Sequence, residues 1–243
     1  MKKLECSIII CTMFICTVVK AQSEFVKAWD DENHPLVMDV YVGNTYNIED
    51  VLKDSRIKGI IHKMSDNDKN IYRQRRAEAT SNNLLFGSYW LPRKADGAEQ
   101  ANKYLEMIGE DYWDKEFLAL DFEPYSSRSR EIISIEEAYR FVEQIHKKAG
   151  RYPYIYCNLS YKKQLESSKY KDTFGKCKLW IISLRQDIFK PFGSKKIWET
   201  YHFWQFSTEH NCLYKVKGLE CGIDFDVYNG NYEDLVKNWA KVQ

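Results

Sequence analysis

The stretch Phe117-Leu118-Ala119-Leu120-Asp121-Phe122-Glu123-Pro124 joins a short apolar run to two carboxylates and a proline. The apolar run is typical of a buried β-strand, and Pro124, which has no amide hydrogen to donate, favours an end to the strand there. Residues two apart on a strand project to the same side, so Asp121 and Glu123 are expected to point together, with backbone positions about 6.6 Å apart. The stretch predicts a strand that ends in a carboxylate pair.

Similar short runs, rich in Ile, Val, Phe and Tyr, recur on both sides of this strand and predict seven more. Together the eight predicted strands are Leu36–Tyr41, Ile57–Lys63, Leu84–Trp90, Phe117–Phe122, Tyr152–Cys157, Leu179–Leu184, Tyr201–Phe206 and Gly222–Tyr228.

Helical patterns lie between several of these strands. Ser134 and Glu137 form a capping box ahead of an apolar stripe that runs to Ala149, and Gly150 is placed to end that helix. Asp96 caps a second helix that ends at Gly109. Further helices are predicted at Tyr72–Ser81 and Glu233–Ala240.

This alternation predicts an α/β fold, an irregular (β/α) barrel of about eight strands in which the later strands have few helices. The run Lys190-Pro191-Phe192-Gly193 has the composition of a loop, which is why fewer helices are expected there. The alternative is an open doubly wound sheet. That fold is expected to carry a glycine-rich phosphate turn after an early strand, and the sequence has none.

The carboxylate pair suggests acid–base chemistry, because (β/α) barrels build their active sites at the carboxyl ends of the strands. Two adjacent carboxyls resist ionising together, so one can keep a proton near neutral pH, as glycoside hydrolysis requires. The estimated spacing is compatible with both retaining and inverting reactions. The structural alternative is a pair that caps a loop or binds a cation.

Other strands add candidate residues. Asp39 lies near the end of the first strand, and Asp224 and Asp226 lie in the last, so these acids are expected to meet Asp121 and Glu123 if the barrel closes. The chain has 7 Trp, 17 Tyr and 12 Phe, and rings at strand ends can stack on sugars. The candidate substrate-binding aromatics are Tyr89, Trp90 and Trp204, with core packing as the alternative role.

Other kinds of chemistry lack their sequence signals. The five histidines form no H-E-x-x-H, which disfavours a zinc protease, and the absence of G-x-S-x-G disfavours a common serine hydrolase. No C-x-x-C occurs, which disfavours a zinc-ribbon or thioredoxin-type site. No metal or cofactor is expected. The formal net charge of +1 gives no indication of a nucleic-acid partner.

The start of the chain resembles an export signal. Lys2 and Lys3 precede an apolar run from Cys6 to Val19, and Ala21 offers a cleavage position. We expect residues 1–21 to be a signal peptide and residues 22–243 to be one domain, secreted or periplasmic, with no stable membrane insertion after cleavage. Cleavage removes three Lys and one Glu and leaves a formal net charge of −1.

Four cysteines remain after such cleavage, an even number that fits two disulfides in an exported protein. Four cysteines allow three pairings. We favour Cys212–Cys221 with Cys157–Cys177, because the two cysteines of each pair lie on either side of one connection. Buried free thiols are the alternative.

The ordered motifs resemble glycoside hydrolase family 25, the lysozyme-type muramidases, from about Leu36 to Leu235. Leu120-Asp121-Phe122-Glu123 is similar to the family's Asp-x-Glu motif. The other matching segments are Met38-Asp39-Val40, Ile60 to Ser65 with Lys63, Phe86 to Trp90 followed by Glu99-Gln100-Ala101, Pro153 to Asn158, Leu179-Trp180-Ile181, Phe203-Trp204-Gln205-Phe206 and Ile223 to Gly230.

The resemblance implies that Glu123 is the general acid, that Asp121 is its partner, and that Asp39 and Asp224 complete an acidic cleft. It implies cleavage of the β-1,4 bond between N-acetylmuramic acid and N-acetylglucosamine in peptidoglycan, without a metal. The expected partner is the peptidoglycan glycan strand, and the expected oligomeric state is a monomer. Tyr41-Val42-Gly43 and Met64-Ser65-Asp66 depart from the family pattern, which bears on the wall of the cleft. Alternative functions are a non-catalytic glycan- or protein-binding barrel and a hydrolase of another N-acetylglucosamine polymer, such as chitin.

Overall fold

The computed structural model describes residues 28–125, 131–184 and 197–240. Eight strands form a closed barrel in sequence order, as predicted. Their bounds differ from the predicted ones by at most two residues, and the strands are β1 (Leu36–Val40), β2 (Ile57–Met64), β3 (Leu85–Trp90), β4 (Phe117–Asp121), β5 (Tyr154–Asn158), β6 (Leu179–Ile182), β7 (Phe203–Ser207) and β8 (Asp224–Tyr228).

Seven α-helices are described, among them the four predicted from the sequence. They are α1 (Ile48–Val51), α2 (Lys69–Ser81), α3 (Gly97–Ile108), α4 (Ile135–Ala149), α5 (Leu159–Glu166), α6 (Lys171–Phe174) and α7 (Tyr232–Trp239). The Ser134 side chain accepts a 3.1 Å hydrogen bond from the Glu137 amide at the start of α4, and Gly150 ends that helix with φ of +70°. Within the described residues between β6 and β8 there is no helix, which confirms the irregular second half of the barrel.

The last strand reverses the direction of the barrel. Strands β1 to β7 all run parallel to one another, whereas β8 pairs antiparallel with both β7 and β1. The reversal places the first residue of β8 at the carboxyl ends of the other strands. Asp224 is therefore the direct pairing partner of Asp39.

Alternation along each strand divides the core in two. Side chains such as Ile61, Ala119 and Trp180 point into the barrel and form one buried cluster. Side chains such as Ile60 and Leu120 point outward and pack beneath the helices in a second, larger cluster. The inward positions of each strand therefore determine which side chains face the open end of the barrel.

Helix α7 closes the barrel at the amino-terminal ends of β3, β4 and β7. The Trp239 indole donates a 2.8 Å hydrogen bond to the Phe86 carbonyl, and its ring packs 5.2 Å from the ring of Phe117 and 6.1 Å from that of Phe203, measured between centroids. The barrel therefore has one blocked end, and a cavity can open only at the other.

The cysteines follow half of the predicted pairing. Cys212 and Cys221 form a disulfide, as predicted, whereas Cys157 and Cys177 are buried free thiols, so the predicted Cys157–Cys177 bond is wrong. Ile155 pairs with Leu179 between β5 and β6, which places Cys177 about four residues back from Cys157 along the strand direction. That separation is about 13 Å, roughly twice the Cα distance that a disulfide spans.

The predicted signal peptide, residues 1–21, lies outside the described residues. Within the described ranges, the structure has no helix with the length and hydrophobicity needed to cross a membrane.

Candidate active site

A cavity of about 560 Å³ opens at the carboxyl ends of β1 to β7, where β8 begins. Its lining is strongly acidic, with Lys63 and His210 as the basic residues of the described lining. Six carboxylates contribute to it: Asp39, Asp68, Asp121, Glu123, Glu209 and Asp224.

Strand alternation explains how most of these side chains reach the cavity. Asp39, Lys63 and Asp121 each stand two residues beyond an inward-pointing residue of the barrel core, namely Val37, Ile61 and Ala119. A charged residue at the next inward position therefore points into the open end of the barrel, toward the cavity. Glu123 lies two residues further along from Asp121 and also lines the cavity.

Asp121 and Glu123 differ in exposure. Asp121 is 1% exposed, whereas Glu123 is only partly buried. Burial, and then the charge of Glu123, raises the pKa of Asp121 well above its ordinary range, with Lys63 opposing the rise. Burial also raises the pKa of Glu123, again opposed by Lys63. The pair therefore favours a protonated carboxyl in contact with the cavity.

A second group of acids lies across the cavity on β1 and β8. Burial raises the pKa of Asp39 well above its ordinary range, and the charges of Asp226 and Asp224 add to the rise. Burial raises the pKa of Asp224 to about 7, although the hydrogen bond from the Glu209 backbone amide opposes the rise, and the charges of Glu209 and Glu123 add smaller increases. Near neutral pH, these carboxyls hold fewer negative charges than their number suggests.

Gln205 on β7 connects this second group. Its amide nitrogen donates hydrogen bonds to Oδ2 of Asp39 at 2.8 Å and to Oδ2 of Asp224 at 3.3 Å. Its amide oxygen accepts a 2.7 Å hydrogen bond from the Tyr156 hydroxyl. Because Tyr156 occupies the oxygen, the amide presents its donors to the two carboxylates.

The sequence comparison agrees with this geometry. The sequence model of the family described as "Glycosyl hydrolases family 25" matches residues 38–213, which include most of β1, all of β2 to β7, and all of the lining residues except Gly222 and Asp224. The chain belongs to glycoside hydrolase family 25. It is therefore a glycoside hydrolase, in agreement with the resemblance found in its motifs.

Solved structures of this family share the fold. A family 25 glycosyl hydrolase from Bacillus anthracis aligns with a TM-score of 0.65 and 20% identity, covering 87% of this chain and 95% of that one. A muramidase from Trichobolus zukalii gives 0.61 and 21%, covering 86% and 100%. A bacterial lysozyme from Streptomyces coelicolor gives 0.62 and 15%, covering 88% and 100%. Comparison with curated protein sequences gives no significant match.

Within this family 25 barrel, only one of the three predicted aromatic residues reaches the cavity. Tyr89 lines it, whereas Trp90 and Trp204 point outward into the helical layer. Trp90 packs against Tyr104 of α3, and the Trp204 indole donates to the Ser183 carbonyl. Tyr89 and Trp90 are adjacent on one strand and so must face opposite sides. The structure therefore places Trp90 and Trp204 away from the cavity in which their substrate contacts were predicted.

Asp226, which the sequence predicted to meet Asp121 and Glu123, does not reach the described lining of the cavity. Since β8 runs antiparallel, Asp226 lies deeper in the barrel than Asp224, fully buried, and accepts a 2.6 Å hydrogen bond from the Trp180 indole. Burial raises the pKa of Asp226 well above its ordinary range. Asp226 therefore holds the ring of Trp180, which lines the cavity, through a hydrogen bond.

Several lining residues of the family 25 chain were not predicted as site residues. Lys63, Tyr156, Trp180 and Gln205 all line the cavity from inward positions of their strands, and Tyr41 lines it from the loop after β1. The signal for the strand residues was the same alternation that indicated Asp121. In the described residues, no group of three or more His, Cys, Asp or Glu side chains is arranged to hold a metal ion.

Proposed function

We propose that this family 25 hydrolase cleaves the β-1,4 bond between N-acetylmuramic acid and N-acetylglucosamine in peptidoglycan, with Glu123 as the general acid. The observation that carries the proposal is the Asp121–Glu123 pair at the open end of the barrel, in a chain that belongs to this family. The similar solved structures include muramidases and a lysozyme, which supports the choice of substrate.

The two acids of the pair are assigned different roles because of their exposure. Glu123 is the better exposed of the two, and its raised pKa keeps a proton available for the glycosidic oxygen. Asp121 lies beneath it, 1% exposed, where a carboxyl can influence the charge of Glu123 and of the developing oxocarbenium ion. Glu123 therefore donates the proton in this proposal, and Asp121 supports it.

Asp39 and Asp224 complete the catalytic cleft on the far side. Gln205 holds one oxygen of each carboxyl, and Asp39 Oδ1 and Asp121 Oδ1 are buried without a described hydrogen-bond partner. Tyr89 contributes to the floor of the same cleft.

The proposed site of action is outside the cytoplasm, in the periplasm or the medium. The export-like residues 1–21 and the Cys212–Cys221 disulfide, a bond that persists in oxidising compartments, support this part of the proposal. Peptidoglycan is found in the same compartments. We propose that the protein acts there as a monomer on single glycan strands.

The test is the release of reducing ends from purified peptidoglycan, with mass analysis of the fragments to identify the bond that was cut. Glu123→Gln is expected to lower kcat about a hundredfold to ten-thousandfold, because it removes proton transfer. Asp121→Asn is expected to cost less. Glu233→Gln is the matched control, since Glu233 is exposed on α7 at the closed end of the barrel.

Three results would contradict the proposal. Equal release by wild type and Glu123→Gln would remove Glu123 from its role. Glycan binding without turnover by wild type would favour a binding barrel. Cleavage of chitin in preference to peptidoglycan, in parallel digestions, would change the substrate.

A further inference from the structure

The loop after β1, residues 41–47, places an exposed aromatic ring at the edge of the cleft. Four aromatic side chains line the cavity in the described part of the chain. Tyr89, Tyr156 and Trp180 are 9%, 6% and 0% exposed, whereas Tyr41 is 47% exposed. The first three are therefore enclosed by protein, and Tyr41 has apolar surface available for a ligand.

The backbone that carries Tyr41 is held in place by its own turn. The Tyr41 amide donates a 2.8 Å hydrogen bond to Oδ1 of Asn44, and the Asn44 amide donates back to the Tyr41 carbonyl at 3.0 Å. These two bonds close a tight turn over residues 41–44. The position of Tyr41 relative to the strand is thus fixed locally.

Buried Arg75 of α2 fixes the same turn from below. Its guanidinium donates to the Tyr41 carbonyl at 2.9 Å and also to the Asn44 carbonyl. A third contact, 3.0 Å long, joins it to Nδ1 of His62, whose pKa is lowered to about 3 by burial and by Arg75, so the imidazole is neutral and can accept. Arg75 therefore connects the turn to the barrel wall.

The turn is also attached to the opposite rim of the cleft. The Asn44 side-chain amide donates a 2.8 Å hydrogen bond to the Gly222 carbonyl, next to Cys221 of the disulfide. Consequently the turn is braced both by α2 and by the cross-linked segment that leads into β8. A ring on such a turn needs little further ordering when it binds a ligand, which favours affinity.

The absence of a side chain at Gly43 leaves room for the ring of Tyr41. A Cβ atom at Gly43 would lie 2.4 Å from Cε2 and 2.9 Å from the hydroxyl oxygen of Tyr41, so the ring rests against the glycine backbone. Any side chain at Gly43 would displace it. The ring is thus supported on one side while about half of its surface remains open.

We propose that Tyr41 is a sugar-binding platform, on which one pyranose ring of the glycan strand stacks beside the catalytic acids. The inference rests on the proposed function, because the ligand it names is the glycan substrate. The apolar C–H face of a sugar ring covers the exposed part of Tyr41, and burying apolar surface on a preorganised aromatic ring provides the binding energy. Tyr41 contributes to binding and takes no part in bond cleavage.

The first experiment measures kcat and KM on soluble peptidoglycan fragments for wild type, Tyr41→Ala, Tyr41→Phe and Gly43→Ala. Tyr41→Ala is expected to raise KM about three- to tenfold and to leave kcat within about twofold. Tyr41→Phe keeps the ring and is expected to restore the wild-type KM. Gly43→Ala is expected to raise KM because the methyl group displaces the ring. Tyr232→Ala, which removes a ring that is 43% exposed on α7, is the matched control.

The second experiment measures binding of the same fragments by calorimetry, with Glu123→Gln as the parent so that no turnover occurs. Adding Tyr41→Ala is expected to weaken binding by the same factor. An unchanged Kd and KM in Tyr41→Ala, in an enzyme that cleaves peptidoglycan, would overturn the platform and leave the proposed function standing. Weakened binding in a protein that cleaves nothing would retain the platform and overturn the proposed function. A protein that neither binds nor cleaves the fragments would overturn both.

Discussion

The side-chain nitrogen of Gln205 lies 2.8 Å from Oδ2 of Asp39 and donates a hydrogen bond to it across the barrel. The bond joins β7 to β1, which are not adjacent, and the same nitrogen reaches Asp224 of β8, the strand between them. One amide thereby sets the orientation of two carboxyls whose pKa values are raised by burial. This relationship leads to the first prediction.

Gln205→Leu is expected to lower kcat/KM about tenfold to a hundredfold, because it removes hydrogen bonds to charged or partly charged groups, each worth about 1.5–3 kcal/mol. Tyr156→Phe is expected to cost less, since it frees the amide oxygen but leaves the amide in place. Initial rates on peptidoglycan provide the measurement. Gln144→Leu, a change on the surface of α4, is the control. Activity within twofold of wild type in Gln205→Leu would contradict the prediction.

Lys63→Gln is expected to move the whole pH profile of kcat/KM to higher pH. Lys63 lowers the pKa of Asp121 and of Glu123, so removing its charge lets both carboxyls keep their protons to higher pH. Under the proposed mechanism, Glu123 then keeps its proton to higher pH, and Asp121 also ionises at higher pH. Rates measured between pH 4 and 9 test this, with Lys147→Gln on the exposed face of α4 as control. A shift toward lower pH would show that the sign is wrong.

Asp224→Asn is expected to stabilise the protein at pH 8 and to have little effect at pH 4. The pKa of Asp224 is raised to about 7 in the folded protein, chiefly by burial, whereas in the unfolded chain it is near its ordinary value of 3.8. The folded state therefore binds the proton more tightly, and this group's contribution to stability falls as pH rises from about 4 to 7.

The corresponding increase in Tm at pH 8 is about 2–6 °C, as expected for roughly 1–2 kcal/mol in a protein of this size. Thermal unfolding of wild type and Asp224→Asn at the two pH values provides the measurement. Asp111→Asn, at an exposed position, serves as control. A larger stabilisation at pH 4 than at pH 8 would be the opposite of the expected result.

The cysteines give a prediction that separates the structure from the sequence-based pairing. Alkylation of the protein unfolded without reductant, followed by peptide mapping, is expected to label Cys157 and Cys177 and to find Cys212 and Cys221 linked. Replacing both Cys212 and Cys221 by Ala is expected to cost about 2–3 kcal/mol of stability, from the chain entropy of a loop this short. Recovery of a Cys157–Cys177 peptide would contradict the structure.

Most of the fold could be predicted from the sequence because its signals are local. Apolar runs bounded by turns identified all eight strands, and the Ser134–Glu137 capping box identified the start of α4. The direction of β8 was not predicted, because it depends on how the chain returns from β7. The available signal was the lack of a helical pattern between Phe206 and Gly222, since a parallel connection usually needs a crossover helix.

The candidate site was predicted in part, and its errors have one physical origin. Asp39, Asp121, Glu123 and Asp224 line the cavity as expected, because strand alternation placed the first three and barrel closure the fourth. The same alternation excludes Trp90 and Trp204, which belong to the outward-facing sets of β3 and β7. The depth of Asp226 in the barrel could be predicted only from the direction of β8, which was not known. Alternation could have placed Gln205 in the cavity, but its hydrogen bonds to Asp39 and Asp224 join different strands, and no local pattern predicts them.

The closure of the barrel by Trp239 has a practical consequence for handling the protein. Helix α7, the last element described, lies at the end of the barrel away from the acidic cavity. A fluorophore, affinity tag or surface linker attached after this helix would leave the cleft facing solution. Immobilised in this orientation, the enzyme could be presented to intact cell walls, whose long strands need unobstructed access along the rim.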